Sequence, residues 1–242
     1  RKESSAASDV YKRQGKNTLV TALEKELIAR EIPTARLSFP RYEHSVHAKL
    51  AQQALYREMG DLIDSIHGMA TLFALDRAEV ASDLADLDED GYVVLLDRYV
   101  ASNAAYSLAR AVERDGGQVR DVESMIPDHD VLRWVEEMEF VSLGSPYPEL
   151  QVLVDVDAEV ADSRAQHREA TDESRARDAY ETDVTLQELT VAAYRGLAQN
   201  QWNGPWVTVA STEGEVQPRA EELAKEIEAA YATQIAEEDV QQ

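Results

Sequence analysis

Cysteine is absent from all 242 residues, which excludes a disulfide framework, a thiolate zinc site and a cysteine nucleophile. No apolar run approaches the ~18 residues that a membrane-spanning helix needs. The opening Arg1-Lys2-Glu3-Ser4-Ser5 lacks the apolar stretch of a secretory signal. Basic residues are scarce: 24 Lys and Arg stand against 47 Asp and Glu, a formal charge of −23. A surface this acidic repels nucleic-acid phosphate unless a local basic groove overrides it. The expectation is a cytoplasmic protein with neither nucleic acid nor membrane as partner. Core material is ample, with 44% hydrophobic residues in a chain long enough for one large α/β domain or two small ones.

Residues 1–14 differ from the rest. They are Ser-rich, carry four basic and two acidic residues in an acidic protein, and show no helical or strand period. From Gly15 the pattern is regular. Leu19, Val20, Leu23, Leu27 and Ile28 fall on one helical face. Thr34–Phe39 reads as a strand ended by Pro40, and helices are predicted over 45–57 and 63–87. Tyr92–Leu96 is a continuous apolar run that stops at Asp97, as expected of a strand buried on both faces. Leu150–Val156 and Trp206–Ala210 repeat it, with helices predicted over 100–112, 131–143, 158–168 and 180–201. Strands alternating with helices require crossovers and a mainly parallel sheet, so the fold class is α/β with helices on both faces. Residues 115–130 read as a polar surface insertion. The acidic stretch from 213 reads as a solvated helix near 218–236 and a tail.

Four patterns could carry chemistry. Gly15-Lys16-Asn17-Thr18 opens a helix, where backbone N–H groups and the helix N-terminus attract phosphate and the Lys reaches the terminal phosphates. A glycine before a helix with an exposed lysine explains the same four residues. Asp97-Arg98-Tyr99 sits at a strand's carboxyl end, where open α/β sheets bind ligands. An Asp there can hold Mg²⁺ and an Arg can grip phosphate, but a plain ion pair fits too. Phe39-Pro40-Arg41-Tyr42 offers an aromatic wall and a cation for a base and its phosphate, or a core Phe with a rigid turn. Arg164, Arg168, Arg175 and Arg177 could close over a transferring phosphoryl group, although alternating acids equally describe a solvated helix. The five histidines lack metal-site spacing, and 69–73, MATLF, reads as core.

In this order the segments GKNTL (15–19), SFPRY (38–42), MATLFALDRA (69–78), LLDRYVASNAAYS (95–107) and RARDAYE (175–181) resemble the bacterial thymidylate kinases, most closely the actinobacterial type. The resemblance runs from Gly15 to about Ala210 and implies a P-loop nucleoside monophosphate kinase fold with an arginine-containing lid near 164–178. It implies ATP and Mg²⁺ as donor and cofactor, dTMP as acceptor, and a homodimer. By the same resemblance Gly15, Lys16, Asn17 and Thr18 hold the ATP phosphates with Arg164 and Arg175, and Arg168 joins Lys16, Asp97 and Arg98 in catalysis. Phe39, Pro40 and Tyr42 shape the acceptor pocket, Phe73 stacks on thymine, and Arg77 and Asn103 read the base. Tyr106 leaves no room for a ribose 2′-hydroxyl. Arg98 takes the acceptor phosphate, Asp178 and Tyr180 border the nucleotide, and Asp97 and Glu181 face the metal.

One departure is large. The family's loop reads Glu-Gly-x-Asp-Gly-x-Gly-Lys after a buried central strand. In register, Asp9 falls on the Glu, Val10 on the first Gly, Lys12 on the Asp and Arg13 on the second Gly. Residues 1–14 are therefore expected to be non-native, with the kinase domain at 15–212 and the acidic helix and tail at 213–242. Alternatives are another nucleoside or deoxynucleoside monophosphate kinase, or a nucleotide-binding protein impaired by the incomplete loop.

Overall fold

The computed structural model describes residues 14–126, 128–155, 178–210, 214 and 216–241. The segment 1–13 and the predicted helix at 158–168 lie outside the described residues. So do Arg164, Arg168, Arg175 and the side chains of Gln14–Asn17 and Glu181.

The first helix, α1 (Gln14–Ala29), buries Leu19, Ala22, Leu23 and Leu27 at helical spacing. Ile28, expected on that face, is 59% exposed, because the stripe turns toward Ala22. Strand β1 (Thr34–Ser38) follows, then α2 (Val46–Leu55), capped by the Ser45 hydroxyl, which accepts the Ala48 N–H. The single helix predicted over 63–87 is three pieces. A 3₁₀ turn (Gly60–Asp64) precedes α3 (Ile66–Ala78), and α4 (Ala81–Glu89) follows a break at Glu79–Val80. Glu79 still has helical backbone angles and its N–H bonds the Leu75 carbonyl; the backbone departs at Val80, with φ −120°.

Strand β2 (Val93–Asp97) leads into α5 (Val100–Arg114). The predicted polar insertion contains a helix, α6 (Val119–Met125), started by a Gln118/Asp121 capping box and anchored by buried Val122 and Ile126. Two apolar residues in a polar stretch suffice to pin one short helix. Then come α7 (Asp130–Glu136) and a π-helical turn (Glu137–Ser142) where one continuous helix was predicted. Strand β3 (Gln151–Asp155), α8 (Ala179–Thr182), α9 (Val184–Gln199), β4 (Trp206–Ala210) and α10 (Val216–Gln241) complete the chain. Asp183 splits the predicted 180–201 helix by capping α9: its carboxylate accepts the Leu186 N–H at 3.0 Å.

Among the described residues the strands form two separate parallel pairs, β1 with β2 and β3 with β4. Both pairs feed one hydrophobic cluster, in which Leu95, Val154 and Val207 pack with α1 and α10. Val93 to Leu96 are half-buried, not buried on both faces as expected, because among the described residues β2 has a strand neighbour on one side only. The acidic C-terminal helix is more than a solvated face. Its Ala220, Leu223 and Ala224 are buried in the same cluster as α1, and Glu228 pairs with Arg30.

Glu113 of α5 lies beside Asp183. Burial and that second carboxylate hold its carboxyl above the ordinary range. The native state thus keeps a proton that the unfolded chain releases, and stability falls as pH rises from the ordinary carboxylate value through the raised one. Glu113→Gln is expected to abolish this decline and raise the melting temperature at pH 7 by about 1–2 °C, a small effect because solvent screens the pair. Thermal melts between pH 4 and 7 measure it.

Candidate active site at the carboxyl ends of the first two strands

Ser38 pairs with Asp97, and the Phe39 N–H donates to the Asp97 carbonyl at 2.9 Å. β1 and β2 therefore end level, and Phe39-Pro40-Arg41 emerges beside Asp97-Arg98-Tyr99. The Phe39 and Tyr99 rings lie 6.1 Å apart. Tyr42 begins the turn that leads to α2.

Arg41 is not a free cation for phosphate. Its backbone N–H and Nε both bond the Asp76 carboxylate at 2.9 Å, and its Nη2 bonds the Asp76 carbonyl and Glu79 at 2.7 Å each. His47 and Ser45 meet the other oxygen of Glu79. Burial works against the charged Glu79 carboxyl, but its bonds to His47, Ser45 and Arg41 hold it below the usual range. This network fastens the Phe39-Pro40 loop to the end of α3. The side chains of Arg41 and Asp76 are 11% and 0% exposed. Breaking such a pair strands a buried charge, so Asp76→Asn is expected to lower stability by about 3 kcal/mol in urea titrations.

Helical spacing builds the adjoining cleft. Ile66, Met69, Ala70 and Phe73 share one face of α3, and Asn103, Tyr106 and Arg110 share one face of α5. The cleft between them is closed by Tyr180 of α8, whose ring stacks on Tyr106 at 5.7 Å, with the Arg110 guanidinium 5.1 Å from it. Burial pushes the Tyr180 phenol up to about 12, against the opposing effect of Arg110. The remaining space is about 10 Å³, room for about one water.

Arg98 follows β2 with φ 62°, a left-handed conformation for a residue with a Cβ, and its guanidinium lies 5.9 Å from the Tyr106 ring centre. The strand end, the aromatic cleft and this cation thus converge. Arg77 is turned inward: its Nε donates to Glu139 Oε2 at 2.6 Å and its Nη2 to Oε1, and its side chain is 4% exposed. Asn103 donates to the same Glu139 at 2.7 Å and to the Ala70 carbonyl at 2.9 Å. Sequence reasoning missed Glu139, Arg110 and Asp76. At positions 132, 135 and 139 a helical period puts Glu139 on the buried side with Leu132 and Val135, a signal hidden by the acidic run Glu136-Glu137 beside it.

Gly15, Lys16, Asn17 and Thr18 stand in the first turns of α1, with Thr18 exposed. Asp178 and Tyr180 are half-buried at the start of α8. Among the described residues no group of three or more His, Asp or Glu gathers. Asp97 is a buried carboxylate at a strand end. That suits Mg²⁺, which takes one or two carboxylates and completes its shell with water and substrate phosphates.

The family model for thymidylate kinase matches residues 12–203. This chain belongs to the thymidylate kinase family. Family membership makes it a phosphotransferase with ATP as donor. The thymidylate kinases of two Mycobacterium tuberculosis strains are 46% identical over 195 residues, covering 81% of this chain and 86% of each relative. A probable thymidylate kinase of Pyrobaculum aerophilum is 27% identical over 155 residues, 64% of this chain and 65% of its own. The solved thymidylate kinase of Candida albicans shares the fold with a TM-score of 0.58 at 21% identity, over 90% of this chain and 88% of that one. The thymidylate kinase match begins at residue 12, beyond the positions of Asp9 and Val10. No helix among the described residues is long and apolar enough to cross a membrane.

Proposed function

We propose that this chain transfers the terminal phosphoryl group of ATP to dTMP, giving dTDP and ADP. The observation that carries the reading is the convergence of Asp97-Arg98 at the end of β2 with the Phe73/Asn103/Tyr106 cleft and the Phe39-Pro40 loop. Phosphoryl transfer requires two anions brought in line, so catalysis is chiefly positioning and charge neutralisation. Arg98 grips the acceptor phosphate. Lys16 and Thr18, with Gly15 and Asn17, hold the donor phosphates, and Arg164, Arg168 and Arg175 close over them. The acceptor oxygen is already ionised at neutral pH, so no strong base is required. Phe73 stacks on thymine, Asn103 reads its edge, Tyr106 guards the 2′ position, and Asp178 and Tyr180 border the bound nucleotide. Asp97, with Glu181, would hold Mg²⁺, which would offset the charge of the phosphates. The enzyme works as a homodimer in the cytoplasm.

Val10 and Arg13 at the glycine positions favour a second reading, a nucleotide-binding protein with impaired turnover. ADP release with ATP, Mg²⁺ and dTMP, dUMP, dCMP or thymidine tests both. The panel is run on this chain and on a version whose residues 1–14 are replaced by a strand and a complete glycine loop. dTMP as the preferred acceptor is the expected result. No dTMP turnover in either version overturns the kinase reading.

A further inference from the structure

The geometry points to Tyr194 of α9 as a positioning residue that holds the Arg98 guanidinium where it meets the acceptor phosphate. This deepens the dTMP reading above and rests on its assignment of Arg98. An arginine side chain has several free torsions, so a cation that must wait in one place needs neighbours to fix its far end. One neighbour is the Tyr106 ring, 5.9 Å from the guanidinium carbon. Another comes from across the fold. Tyr194 packs against the cluster that contains Val100, Ala104 and Ala105 of α5, and its hydroxyl donates to Ser102 Oγ at 2.7 Å. Ser102 lies in the first turn of α5, its N–H bonded to the Tyr99 carbonyl at 2.9 Å. The phenol is thus pinned at the start of the helix that Arg98 precedes.

Burial pushes this phenol above its ordinary range. The Arg98 charge is the first neighbour to oppose the rise, with the Ser102 hydroxyl acting the same way and Tyr106 and Asp97 against it. A hydroxyl that gives its hydrogen to Ser102 keeps its oxygen lone pairs for a cation. Packing alone would explain the ring, since a phenylalanine fills the same space; the hydroxyl and its nearness to Arg98 are what packing leaves over. Tyr194→Phe keeps the ring and deletes the oxygen. Arg98 then loses one of the groups that hold it, and the phosphate must order the side chain as it binds, at a cost in affinity. Base and sugar contacts are untouched.

Calorimetric titration with dTMP and thymidine, which differ only in the phosphate, reads this directly. Tyr194→Phe is expected to weaken dTMP about three- to tenfold and to leave thymidine unchanged. A purely structural role would weaken both, so equal losses, or no loss for dTMP, overturn the inference while leaving the kinase reading intact. The same substitution made together with Arg98→Ala is expected to change dTMP affinity no further than Arg98→Ala alone, and an undiminished loss there overturns the inference too. An unmodified chain that binds dTMP no more tightly than thymidine overturns the assignment of Arg98 and this inference together. Should Tyr194→Phe fail to fold, Ser102→Ala, which frees the same hydroxyl from its anchor, takes its place with the same expected pattern and the same overturning results.

Discussion

Replacing residues 1–14 by an apolar strand and a complete glycine loop is expected to raise ADP release with dTMP at least about a thousandfold, since single preorganised donors to a reacting oxyanion each contribute ~10²–10³ in rate. A glycine loop surrounds the donor phosphates with several backbone N–H groups at once, at the positive end of the helix that follows. In register with the family's loop, Val10 and Arg13 stand at two of its glycine positions, leaving Gly15 alone of the three glycines. The same replacement should raise the urea midpoint. The β1–β2 and β3–β4 pairs share a hydrophobic cluster without a strand joining them among the described residues. A strand laid between them would pair backbone groups whose orphaning costs about 1–3 kcal/mol each when buried. Equal turnover and equal midpoints for the two versions would show that residues 1–14 already do this work.

The second large effect is expected at Arg98. Arg98→Ala should lower kcat/KM for dTMP by about a hundred- to a thousandfold, because a cation placed to meet an anionic acceptor contributes most in a closed site. Its φ of 62° supplies an internal control. A left-handed backbone costs a residue with a Cβ about 1 kcal/mol, a cost that glycine escapes. Arg98→Gly should therefore be as inactive as Arg98→Ala yet more stable by about 1 kcal/mol in urea titrations. That outcome would identify the strain as the means by which the chain swings Arg98 from the line of β2 to the Tyr106 ring. A glycine variant of undiminished activity would remove Arg98 from the mechanism.

Residues whose surroundings are dictated by the chain next to them were legible in advance. Asp97 and Phe39 are such cases: apolar runs that stop at a polar residue or a proline mark strand ends, and ends of parallel strands adjoin ligands. The pairs that cross the fold were not. Arg41 looked available for phosphate because Asp76, its partner, is 35 positions away in a stretch that reads as core. Arg77 and Asn103 stand out by their resemblance to base-reading residues of the family, whereas Glu139, which both touch, reads locally as one acid among several. Val122 and Ile126 made a helix of an apparent insertion because α5 and α9 supply a surface for them, and no local period encodes that surface.

The packing of α10 on α1 has a consequence for biosynthesis. Leu19, Leu23 and Leu27 belong to the first helix described, whereas Ala220, Leu223 and Ala224 belong to the last. A nascent chain emerging from the ribosome exposes the first set long before the second exists. The helix carrying Lys16 thus has no completed seat until translation has passed α10, and until then its leucines are a surface for chaperones. The first helix therefore reaches its full burial only once the residues of α10 have been added to the chain.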